Sequence, residues 1–80
     1  MIKVFANVIV DTAIFLEFTN DELLNEDVSI QAMEQLAAEL QKLTLEEKQL
    51  LKVELKNISS SLNDKQKSDF VANLSESFGL

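Results

Sequence analysis

Carboxylates are the only abundant reactive side chains in this sequence: 14 Asp and Glu stand against seven Lys, with no His and no Cys. Without His or Cys, neither a Ser/His dyad nor a Cys/His pair can be built, and the usual ligands of structural zinc are missing. The single Gly cannot make a phosphate-cradling loop or a dinucleotide fingerprint. A pair of carboxylates can hydrolyse a glycoside, but that needs a cleft able to enclose a sugar. A chain of 80 residues rarely forms one. The sequence therefore predicts no catalytic residue, no cofactor and a non-enzymatic role.

Three local clusters bear on that expectation. Asn20, Asp21, Glu22, Asn25, Glu26 and Asp27 are dense enough in oxygen to suggest calcium. An EF-hand loop, however, needs oxygens at alternate positions and a central Gly, and Leu23 and Leu24 occupy the middle here. Capping of two helix starts accounts for these residues, and no metal is expected. An acyl-carrier reading needs a Ser preceded by Asp and followed by Leu. Ser61-Leu62 follows Ser60 and Ser29 lies between Val28 and Ile30, so that reading fails. Lys48, Lys52 and Lys56 recur at helical spacing, where like charges repel by a few tenths of a kcal/mol. They read as a solvated face; the alternative is pairing with the acidic half of a second copy.

The distribution of charge says more than its total of −7. No basic residue occurs between Val4 and Gln41, a stretch carrying Asp11, Glu17, Asp21, Glu22, Glu26, Asp27, Glu34 and Glu39. From Lys42 onward, six Lys balance Glu46, Glu47, Glu54, Asp64, Asp69 and Glu76. All the bases are Lys, so bidentate Arg recognition of phosphate or carboxylate is excluded. Nucleic-acid binding is disfavoured because it draws on a basic face, and an anionic membrane surface would repel the chain. A concentrated negative surface favours a basic protein partner.

The elements that must position these residues are helical. With no Pro and one Gly, tight turns lack their usual residues. The even positions from Ile2 to Phe18 alternate like a strand, yet no second strand exists to pair with them, so a helix is expected. Its main apolar face would be Val4, Phe5, Val8, Ile9, Thr12, Phe15 and Leu16. Val10, Ile14 and Phe18 form a further stripe, either the second contact side of a central helix or an exposed self-association surface. The same segment contains Asp11 and Glu17, and a membrane span needs about 20 nearly uncharged residues. A soluble, cytoplasmic protein is expected, consistent with the absence of Cys.

Thr19-Asn20-Asp21-Glu22 fits a capping box opening a short helix through Leu24. Asn25 caps the next helix, with Glu26 and Asp27 in its first turn and Ile30, Met33, Leu36, Ala37, Leu40 and Leu43 inward. Thr44-Leu45-Glu46-Glu47 is a second capping box, leading a helix with Leu50, Leu51, Val53, Leu55, Ile58 and Leu62 as its apolar set. Asn63 or Asp64 starts a last helix with Phe70, Val71 and Leu74 inward, and Gly79 suits its stop. The predicted fold is all-α: residues 1–80 as one domain, a compact bundle of four main helices plus one short one with short connections.

The apolar helix end at Phe15, the acidic run from Thr19 to Asp27 and the amphipathic helix to Leu43 resemble the small acidic helical immunity proteins of bacterial toxin systems. The likeness is one of type, covers about half of the chain and carries no diagnostic motif. The chain has no Tyr, whereas the DNase-colicin members use a Tyr pair. The resemblance implies a cytoplasmic inhibitor of a cognate toxin with a basic, nuclease-like surface. Asp21, Glu22, Glu26, Asp27 and Glu34 are the expected partner-binding residues. Two alternatives stand beside it: a structural or regulatory subunit that homodimerises through Val10, Ile14 and Phe18, and a phosphate-mimicking regulator of a DNA-binding protein.

Overall fold

Thr44 sets the sharpest boundary in the chain. Its hydroxyl accepts the Glu47 N–H at 3.1 Å, and the Glu47 carboxylate accepts the Thr44 N–H at 2.8 Å, the reciprocal pairing expected from sequence. The computed structural model describes residues 2–20 and 22–80. Among them five helices follow in order: α1 (Ile2–Phe18), α2 (Glu26–Leu40), α3 (Leu45–Ser61), α4 (Lys65–Ala72) and α5 (Leu74–Ser77). The described residues contain no strand, so the alternation in the first segment is overridden, as an unpaired strand must be. Asn25 caps α2 by accepting the Asp27 and Val28 N–H groups at 2.8 and 3.3 Å. Asp64 caps α4 through the Lys67 N–H at 3.1 Å.

The helices wrap one core of Ala6, Ile9, Val10, Ala13, Leu40, Leu51, Leu55, Val71, Leu74 and Phe78. Short connections make neighbours run back along one another, so α1 and α3 share a direction. Val4 and Phe5 line a groove with Leu43 and Leu50 near the start of α3, while Ile14 lies with Ile58 and Leu62 near its end. Ser59 and Ser68 tie α3 to α4, each hydroxyl donating to the other's carbonyl at 2.8 Å. Among the described residues no helix is long and apolar enough to cross a membrane.

The core face of α1 differs from the one expected. Ala6, Ile9, Val10 and Ala13 are buried, whereas Val4, Phe5, Val8 and Phe15 are exposed. The reason is size. Ala6 and Ala13, two helical turns apart, let α1 approach its neighbours closely and leave room in the core for Leu51 and Leu55, both essentially fully buried. Of the Val10/Ile14/Phe18 stripe, Val10 and Ile14 are packed within the fold, while Phe18 remains 40% exposed. Val10 is 2% exposed, and Ile14 packs against the core. Phe18 meets Phe70 edge-to-face with ring centroids 5.5 Å apart.

Two helix ends also depart from expectation. Thr19 does not cap a new helix: its hydroxyl and its N–H both donate to the Phe15 carbonyl, closing α1. Asn20 takes the capping role instead, its side chain accepting the Glu22 N–H at 2.8 Å and its carbonyl the Leu23 and Leu24 N–H groups. The result is a turn. The short helix lies at the other end of the chain, where Asn73 breaks the last helical stretch into α4 and α5. Gly79, at φ +70°, ends α5 in a Schellman motif: its N–H reaches the Glu76 carbonyl and the Leu80 N–H reaches that of Ser75. Ile30, Leu50 and Val53, expected inward, are about half exposed.

Candidate binding surface

The turn between α1 and α2 brings together carboxylates from both helices. An open groove of about 570 Å³ runs between the end of α1, this turn, the first half of α2 and α4. Leu16, Leu24, Ile30, Met33 and Phe70 give it an apolar floor, and Glu17 and Glu26 line its sides. The two Asn residues fix the geometry, because each spends its side-chain oxygen on the backbone that carries the neighbouring acids. Glu26 and Asp27 sit in the first turn of α2, where the helix dipole favours negative charge.

Of the expected partner-binding residues, Glu22 and Glu26 belong to this region directly. Asp27 and Glu34 are seven residues apart on α2 and therefore share one flank of it. Asp21 lies outside the described residues. Among the described residues the ion pairs are Lys42–Glu39 and Lys65–Asp69, so Glu17, Glu22, Glu26, Asp27 and Glu34 are left without a cation. Not all the acids of this half gather here. Asp11 lines a groove between α1 and α3 together with Lys3 and Glu54, and Glu39 lies beside Phe15 on another side of α2.

Glu17 was absent from the expected set. It stands nine residues before Glu26, and nothing in local spacing links them; the tight turn after Phe18 does. Lys67 holds its ammonium 5.9 Å from the Phe18 ring centroid, and Phe18 packs edge-to-face on Phe70, which lines the groove. Gln41, exposed on the surface, donates to the Phe78 carbonyl at 2.6 Å and accepts from Lys48 at 3.1 Å. It thereby fastens the C-terminus to the α2–α3 junction. Among the described residues no cluster of three or more acidic ligands could hold a metal ion.

An acid-lined groove with an apolar floor suits a long basic side chain. The aliphatic stem of Lys or Arg covers apolar surface while its head reaches the carboxylates. Comparison with protein-family models, with curated proteins and with solved structures gave no match for the chain.

Proposed function

We propose that this chain is a non-catalytic binding protein that covers a basic surface of another protein with the carboxylates around the α1–α2 turn. The observation that carries the reading is the groove shared by Glu17 and Glu26, with Glu22, Asp27 and Glu34 beside it and, among the described residues, no ion pair to any of them. Charges left uncompensated in the folded chain are available to a partner, and they speed its encounter. Cytoplasmic inhibition of a cognate toxin with a nuclease-like basic cleft is the biological form we propose, following the resemblance in composition and helical pattern.

The test is binding to the product of the adjacent reading frame, measured by calorimetry over a range of salt. Glu22→Lys with Glu26→Lys should weaken the complex by at least about 100-fold, since each reversed contact costs a few kcal/mol, and should flatten the salt dependence. Co-expression should protect cells from that one toxin. An affinity and a salt slope both untouched by the double reversal would remove the acidic turn from the interface.

A further inference from the structure

An outward face of α1 carries Val4, Phe5, Val8 and Phe15, with Asp11 at its edge, and no described residue covers it. Val4 is 66% exposed, Phe5 42%, Val8 58% and Phe15 57%, with Leu50 of α3 beside them at 50%. Val4, Phe5 and Val8 form an open trough of about 550 Å³ with Ile2, Leu43 and Leu50, in which Glu47 is the one charged lining residue. Thr12, Phe15 and Leu16 carry the face on into a second trough against α2.

We infer that this face binds a second copy of the chain, with the two α1 helices antiparallel across a two-fold axis. A two-fold interface must be self-complementary, residue i meeting j and j meeting i. The exposed face meets that condition about the level of Val10. Val4 is placed symmetrically to Leu16, Phe5 to Phe15 and Val8 to Thr12, so an antiparallel pair sets Phe5 of each copy against Phe15 of the other. Val8 and Thr12 lie beside the axis.

The exposed area agrees with this occupant. The exposed parts of the five large side chains amount to roughly 500 Å² per copy, at the upper end of what the largest patch of an ordinary monomer shows. Two copies would bury about 1,000 Å², near the lower limit of specific interfaces. The charged residues of α1 lie in other grooves: Lys3 and Asp11 toward α3, Glu17 in the acid-lined groove. Asp11, exposed and one turn from both Val8 and Phe15, borders the face at its rim. Repulsion between two copies of net charge −7 is long-range and screened by salt, so added salt tightens the dimer, whereas it would loosen a complex with a basic partner.

Sedimentation velocity of the full chain over about 1–300 µM tests the inference. The mass should rise from 9.0 kDa toward twice that, and more readily at high salt. Val8→Asp, which enters the interface twice, should weaken association at least about 30-fold. Leu45→Asp, at a residue 78% exposed and about 140° round α3 from Leu50, should leave it unchanged. Because the chain has no Cys, the register can be read independently. Phe5→Cys mixed with Phe15→Cys should oxidise to the mixed dimer in preference to either like pair. A monomer at the highest concentration, equal sensitivity to Val8→Asp and Leu45→Asp, or preferential like-with-like cross-linking would each overturn the proposal.

Discussion

The two seventeen-residue helices α1 and α3 bury comparable faces by opposite means. In α3, Leu51 and Leu55 supply the bulk, and Glu46, Lys48, Lys52, Glu54 and Lys56 share its remaining surface with the exposed Leu45, Leu50 and Val53. In α1, small Ala6 and Ala13 sit at the closest approach while Val4, Phe5, Val8 and Phe15 stay in water. A single protomer needs the first arrangement. The second is costly for an isolated domain, because apolar surface left exposed gains nothing from folding, and it makes sense when another surface completes it.

The largest effect that could break this contrast is on stability. Leu51→Ala should cost about 2–5 kcal/mol, the range for truncating a buried Leu. Val8→Ala should stay within about 0.5 kcal/mol, as exposed substitutions do. Urea denaturation below the concentration at which copies associate compares them directly. Equal losses would mean that the α1 face belongs to the core. Ala13→Leu comes next: adding bulk at a fully buried Ala should cost about 1–3 kcal/mol through overpacking, although Leu is a good helix former. A neutral result would show that the close approach of α1 does not depend on a small residue.

Helix starts that rest on a side chain bonding its own neighbours were legible in the sequence, and the packing face of α1 was not. Thr44, Asn25 and Asp64 each cap the helix that follows, because capping chemistry is local. Thr19 carried an equally good motif, and its hydroxyl turned back to Phe15 instead. A Thr at the end of one helix can bond the carbonyl four residues earlier, and the sequence does not say which side wins. For α1 the hydrophobic pattern is nearly continuous, so periodicity could not choose a face, and the deciding feature was the small size of Ala6 and Ala13. The acidic segment was legible as a segment. That Glu17 joins it while Asp11 and Glu39 do not depends on tertiary geometry. The capping contrast predicts that Thr44→Ala costs about 1 kcal/mol and Thr19→Ala only a few tenths, readable as shifts in thermal midpoint. The reverse order would place the structural boundary at Thr19.

The smallest expected effect separates charges that serve the fold from charges that do not. Glu26 and Asp27 are favoured where they stand, in the first turn of α2, so their presence needs no partner to explain it. Glu34 lies in the middle of the same helix, exposed and without an ion pair among the described residues. In a chain of net charge −7, an unpaired carboxylate there feels mainly repulsion. Glu34→Gln should therefore raise stability by about 0.2–0.5 kcal/mol at low ionic strength, and high salt should erase the gain. The comparison is with Asp27→Asn, which loses the dipole interaction and should destabilise by a similar amount. If Glu34→Gln destabilised as well, the carboxylate would have a role inside the fold, and its assignment to a partner-facing flank would lose its physical basis.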